Sequence, residues 1–167
     1  MINSIDFSSL KQIRNRENHR CFGCSPVNTH GLRMRFYTDE KSVYSKLEVP
    51  EHLCGWNNLV HGGVLSTILD EIMSWSVIYL LKRFILTKSI SVDFLKPVYI
   101  QKEIIAEGSI IERVNDREVT ASGRLYFNGG LAARSTGRIA LLTMESMKSI
   151  GLADEEMLRD FDAVFNS

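Results

Sequence analysis

The chain has 167 residues, with 20 basic and 20 acidic side chains and a formal net charge of +0. That length suits one domain with a substantial core, and the balance leaves no basic patch of the kind a nucleic-acid partner needs. Three cysteines are an odd number, which argues against a disulfide framework and fits a reducing compartment.

Residues 6–20 read as a charged surface helix, with Asp6 or Ser8 as cap and a weak apolar stripe at Leu10 and Ile13. The start of the chain has no apolar signal segment and no small-residue cleavage site, so the expected location is cytoplasmic. Gly23, Pro26, Asn28 and Gly31 mark turns. Leu32, Met34 and Phe36 then alternate with Arg33, Arg35 and Tyr37, the pattern of a half-buried strand. Asp39-Glu40-Lys41 is a turn into a return strand over 43–49, which Pro50 stops. Residues 51–59 make an irregular loop around Gly55 and Trp56. A long apolar helix is expected over about 62–81, followed by strands at about 88–95, 100–113, 118–127 and 131–143. Asn115-Asp116 and Asn128-Gly129-Gly130 are hairpin turns. Gly108 and Gly123 interrupt long strands and suggest bulges or bends. Residues 154–165 read as a short amphipathic helix capped by Asp154.

The fold class that follows is α+β, an antiparallel sheet wrapped around one long central helix, because a helix apolar nearly all round must be covered on most sides. The expected divisions are an N-terminal surface helix over 1–20, the main domain over 21–145, and a C-terminal helix over 146–167 packed on the same domain. Exposed sheet edges tend to be paired or covered, so a homodimer, or a dimer of dimers, is expected.

The central helix carries the candidate chemistry. From Val64 to Leu81 its only charged side chains are Asp70 and Glu71. They interrupt the apolar run, which is therefore expected to fall short of a membrane span, and no membrane partner is expected. A charge inside a core helix is costly unless paired, solvated or protonated, so the pair marks a site. At three- and four-residue steps Asp70 shares a face with Gly63, Ser66, Thr67, Met73, Ser74 and Val77. Leu65, Ile68, Leu69, Ile72, Trp75 and Tyr79 lie opposite. The first face suits a substrate channel or the close packing of two helices. Glu71 lies about 100° round the helix from Asp70, so the two are not expected to face one substrate. Glu71 is expected to pair with a basic residue or across an interface, with the main catalytic role as the rival reading.

His61-Gly62-Gly63 opens the helix. The first N–H groups of a helix are unpaired and favour negative charge, and glycines leave them uncovered to a developing oxyanion. His61 either caps or supports this helix start or takes part in proton transfer. Asp70 lies about 10 Å of helix rise from Gly63, too far to share one carbonyl with its own helix start. Asp70 of one copy is therefore expected to face Gly62 of a second.

These residues resemble the hotdog-fold acyl-CoA thioesterases of the phenylacetyl-CoA and 4-hydroxybenzoyl-CoA thioesterase superfamily. The resemblance rests on His61-Gly62-Gly63 with Asp70 nine residues after the His, on Leu69-Asp70-Glu71, and on Phe94-Leu95-Lys96-Pro97-Val98. The leader Cys21-Phe22-Gly23-Cys24-Ser25-Pro26-Val27-Asn28, with Gly31-Leu32-Arg33, is similar to one branch of that superfamily. The resemblance implies a hotdog fold and hydrolysis of an acyl-CoA thioester to free acid and CoA, with no cofactor. It implies that the Gly62 amide, with Gly63, polarises the carbonyl and that Asp70 from the other subunit acts as base or nucleophile. It also implies that Thr87 positions the water. Family members often carry Asn or Gln six residues before the His, where this chain has Gly55, with Asn57 and Asn58 displaced. The substrate-binding candidates are accordingly Gly63, Asn58, Thr67, Ser74 and Thr87. The alternatives are a non-catalytic acyl-CoA-binding hotdog protein and a hotdog enoyl-CoA hydratase or dehydratase.

Cys21 and Cys24 have metal-ligand spacing, with His19 and His30 nearby. One short Cys pair falls short of the four ligands zinc takes, so no metal is expected and the pair reads as packing in a tight turn. Lys82, Arg83, Lys88, Lys96, Arg134 and Arg138 are candidates to meet CoA phosphates. Trp56, Met73 and Trp75 are candidates for the pocket wall.

Overall fold

The computed structural model describes residues 5–166. Three strands, β1 (Lys11–Gln12), β2 (Phe36–Thr38) and β3 (Val43–Glu48), precede the helix α1 (Gly62–Leu81). Then come β4 (Phe84–Phe94), β5 (Glu103–Asn115), β6 (Glu118–Phe127), β7 (Gly130–Leu142), α2 (Met144–Ser149) and α3 (Glu155–Phe165). All pairings are antiparallel, and the strands form one seven-stranded sheet in the order β1-β2-β3-β5-β6-β7-β4. The strand that follows the helix thus ends at the sheet edge, beside the last strand made. The turn between β6 and β7 is of the primed type, with both central residues, Asn128 and Gly129, at positive φ (48° and 74°).

The bulky face of α1 is buried as its spacing predicts: Leu65, Ile68, Leu69, Ile72, Trp75 and Tyr79 all lie in the core. Trp75 stacks on Phe36 with ring centroids 4.6 Å apart. The opposite face corrects the channel expectation. Met73 and Val77 are fully buried and pack with Val119, Ala121 and Ile139 of β6 and β7, so the open part of that face stops near Asp70. By length and composition α1 is long and apolar enough to cross a membrane, contrary to expectation. But most of it is buried inside the fold, which is how the central helix of a wrapped sheet looks.

A row of small residues lets the helix lie so close. Gly108 pairs with Gly123, and Gly123 with Ser135. A Cβ on Gly108 would stand 2.4 Å from the Ile72 carbonyl oxygen, and one on Gly123 would stand 2.7 Å from Ser135 Oγ. These glycines therefore mark helix backbone against sheet backbone, not the expected bulges. The β5–β6 register runs unbroken through them and shifts instead between Ile110 and Glu112 and between Arg113 and Asn115.

The N-terminal helix over 6–20 is also corrected. Asp6 caps only a short turn, accepting from Ser8 N at 3.0 Å. Beyond it, Lys11 and Gln12 pair with β2, and Ile13 N donates to Phe36 O at 2.8 Å. Asn15 Nδ2 donates to Cys24 O at 2.7 Å. Sheet and side-chain partners satisfy this backbone better than a helix with one weak apolar stripe could. Residues 1–4 of the expected 1–20 segment lie outside the described residues. At the other end the boundary at 145/146 falls inside α2, which the sequence reading did not include. Residue 167 of the C-terminal segment also lies outside the described residues.

α3 forms where expected, with Asp154 Oδ1 accepting from Met157 N at 2.8 Å. Its Phe161 and Phe165 rings meet Phe84 edge-on, with centroids 5.0 and 5.3 Å apart. Asp154→Ala should cost about 1 kcal/mol, the usual loss for an N-cap. A lowered thermal midpoint with early proteolysis confined to α3 would be the reading. An unchanged midpoint would show that aromatic packing alone holds this helix.

Candidate active site

Asp70 sits halfway along α1, where the leader and β4 leave a cleft of about 330 Å³. Its walls include Cys21, Asp70, Glu71, Ser74, Trp75 and Thr87. Thr87 Oγ1 donates to Asp70 Oδ1 at 2.8 Å. Among the described residues Asp70 Oδ2 has no donor, so that oxygen is free to take a proton from a bound water. Burial raises the Asp70 pKa above the ordinary carboxylate value, and the Thr87 bond partly offsets this. Thr87 is placed by a bulge: the β4–β7 register shifts between Thr87 and Ser89, a device common beside functional sites. The extra residue, Lys88, turns away to Glu118, which Arg138 Nε also meets at 2.7 Å.

Glu71 corrects the sequence expectation twice. It lines the same cleft as Asp70, because the leader wraps the arc of helix that separates them. Its partner is also not basic: the Cys21 thiol donates to Glu71 Oε1 at 3.2 Å. Gly23 makes room for this contact, since a Cβ there would stand 2.5 Å from Glu71 Cγ. Burial pushes the Glu71 carboxyl up to about 8. The two leader thiols split, the bond between them drawing Cys21 down and pushing Cys24 up.

The helix start is a separate place. His61 Nδ1 accepts from Gly63 N at 3.0 Å, so His61 acts as the N-cap and the Gly63 amide is occupied. The Gly62 N–H has no acceptor among the described residues. It opens on a second cleft of about 310 Å³, walled also by Phe94 and Lys96. The hydroxyls of Ser66 and Thr67 both turn back to the helix, donating to the Gly62 and Gly63 carbonyls at 3.0 Å. Asn58 lies in a third cleft with Asn57 and Tyr99. One chain therefore brings together Asp70, Ser74 and Thr87, and holds Gly62, Thr67 and Asn58 elsewhere. Trp75 walls the Asp70 cleft, whereas Met73 is sealed in the core and Trp56 is 86% exposed. Arg134 is paired with Asp93 at 2.8 Å and Lys82 lies 3.9 Å from the Tyr79 ring centre. Lys96 forms no ion pair among the described residues.

The sequence reading missed the leader's share in this cleft: His19, Cys21 and Cys24. The available signal was the combination of a Cys pair and an unpartnered Glu in the helix.

Comparison with known proteins bears on the same segment. Residues 57–121 match the profile of the Thioesterase superfamily. S. sahachiroi AziG superposes with a TM-score of 0.60 at 21% identity, over 66% of this chain and 92% of its own. A mutant thioesterase from Pseudomonas aeruginosa gives 0.59 at 16% identity, over 66% and 82%. A hypothetical thioesterase from Streptococcus pneumoniae TIGR4, solved with coenzyme A, gives 0.57 at 17% identity, over 62% and 80%. No curated protein matches the chain. The matched segment holds all of α1, β4 and β5; over it the chain is similar to the thioesterase superfamily, and its fold is that of a hotdog domain.

Proposed function

We propose that the protein hydrolyses an acyl-CoA thioester to the free acid and CoA, with Asp70 of one copy and the Gly62 amide of a second acting on one carbonyl. The observation that carries this reading is the Asp70 carboxylate: partly desolvated, held through one oxygen by Thr87, and open through the other to the cleft. Asp70 takes a proton from water as that water adds to the thioester carbonyl. The Gly62 N–H receives the oxyanion of the tetrahedral intermediate. Collapse expels the CoA thiolate, which takes up the proton. A thioester is an activated acyl group, so one base and one amide suffice. The coenzyme A bound by the streptococcal protein supports a CoA ester as the substrate class. Lys96, which lines the same cleft as Gly62 and has no ion pair among the described residues, suits a phosphate of that group.

The need for a second copy rests on the free edge of β4. Leu86, Ile90 and Phe94 are exposed along it. Thr87, beside Asp70, stands near one end of the strand, and Phe94, within 3.6 Å of where a Gly62 Cβ would be, stands at the other. Two such edges paired antiparallel about Ile90 and Ser91 would bring the Thr87 end of each against the Phe94 end of the other. Each Asp70 would then approach the Gly62 of the second copy.

The test of the hydrolase reading is release of free thiol from a panel of acyl-CoA esters. Binding of the esters with no turnover on any of them would instead favour an acyl-CoA-binding protein. A charge on the paired edge tests the second copy. Ile90→Lys should yield a monomer by light scattering, with turnover at least about 100-fold lower, the scale of a missing oxyanion donor. A fully active monomer would rule out the shared site.

A further inference from the structure

We propose that Cys21, Cys24 and Glu71 form a binding site for a thiol-seeking divalent cation of the zinc class, at the seam between the leader and α1. Their ligand atoms, two thiol sulfurs and a carboxylate oxygen, all lie within 4.8 Å of one another. Around a tetrahedral zinc ion, with Zn–S of about 2.3 Å and Zn–O of about 2.1 Å, such ligands stand roughly 3.5–3.8 Å apart. The Cys21 Sγ to Glu71 Oε1 distance is 3.2 Å, so an ion can enter with small adjustments of side-chain rotamers.

The cradle is built into the chain. Cys21 and Cys24 stand at the two ends of a tight turn closed by Ser25 N donating to Cys21 O at 3.1 Å. Ser25 Oγ then locks the turn, donating to His19 O at 2.5 Å and accepting from Asn28 N at 3.1 Å. Between the two cysteines stands Gly23. Any Cβ there would meet the Glu71 carboxylate at 2.6 Å, so the residue type inside the Cys-x-x-Cys turn is what admits the third ligand.

The charge balance asks for an ion. Glu71 has no Lys, Arg or His in ion-pair contact among the described residues, and what faces it is a pair of thiols. A half-buried carboxylate beside two potential thiolates is unfavourable unless it stays protonated or shares a cation. Three protein ligands with one position open to a cleft is a known zinc arrangement. A second observation points the same way. His19 walls this cleft, and its Nε2 is buried with no hydrogen-bond partner. A fourth ligand or a cation-bound water at the open position would satisfy that nitrogen. The ion would tie the leader to the helix one residue from Asp70 and so fix one wall of the candidate active site.

The site stands or falls apart from the hydrolase reading, because uptake is measured without substrate. Reduced, chelator-treated protein is titrated with Zn²⁺ against a chromogenic chelator, and separately with Co²⁺. The expected results are one ion per chain, a thiolate-to-cobalt charge-transfer band, and a raised thermal midpoint in the Zn²⁺ form. Cys21→Ser and Glu71→Gln should each weaken uptake by about 100-fold or more, at least the upper end of what loss of a supporting contact costs. Both positions are less buried than Cys24, and thermal melting without metal checks that the variants fold. No stoichiometric uptake by the reduced wild type would overturn the proposal. So would uptake retained alike by both variants, or a cobalt spectrum without thiolate bands.

Discussion

Replacing Asp70 by Ala is expected to lower turnover of an acyl-CoA ester by about 10²-fold or more, the scale for loss of a general base. The fold should survive, because the change removes a charge that burial penalises and leaves only the Thr87 hydroxyl, which is exposed, without its acceptor. Asp70→Asn keeps the shape and should lose as much, which separates the role in chemistry from the role in packing. Glu71→Gln is the necessary comparison, since Glu71 lines the same cleft. Equal turnover in wild type and Asp70→Asn would sink the assignment. A loss confined to Glu71→Gln would hand the catalytic role to the neighbour.

Gly108→Ala is expected to destabilise the protein by about 1–3 kcal/mol, the range for forcing atoms into a filled core, while Gly123→Ala should cost less. The difference lies in what each new methyl group meets. At Gly108 it meets the Ile72 carbonyl oxygen at 2.4 Å, which moves only if the helix moves. At Gly123 its nearest neighbour is the Ser135 hydroxyl at 2.7 Å, which can rotate away. Denaturant midpoints of the two variants decide it. Equal midpoints, or a neutral Gly108→Ala, would mean that the helix is not seated on the sheet at backbone distance.

The parts of this fold that were legible before the structure are those with local causes. The Gly pair after His61 and the end of the apolar run mark both ends of α1, and alternation marks β3 and β5 to β7. Family resemblance offered Thr87 only as a hydroxyl that positions water; its hydrogen bond to Asp70 joins residues 17 apart on different elements and was not legible. What misled was always non-local. Residues 6–20 read as a helix because the pull of the β2 edge and of the Cys24 carbonyl on that segment has no signature in its own composition. Gly108 read as a bulge or bend because a strand interior gives no hint of a helix backbone passing over it. Asp70 and Glu71 were separated by helical geometry, correctly as an angle, yet a leader some fifty residues away in sequence spans the arc between them.

The order of the strands has a consequence in time as well as in space. Among the described residues β4 pairs only with β7. On a ribosome, then, residues 84–94 emerge and wait until 130–142 have been made before either of their edges finds a partner. The hairpins β5–β6 and β6–β7 join neighbours in sequence and can close early, whereas β4 must be captured across a long loop. The strand with the most exposed apolar side chains is thus also the last of the main strands to be claimed by its own sheet. For that interval the same edge that would join two finished copies is open to joining two unfinished ones.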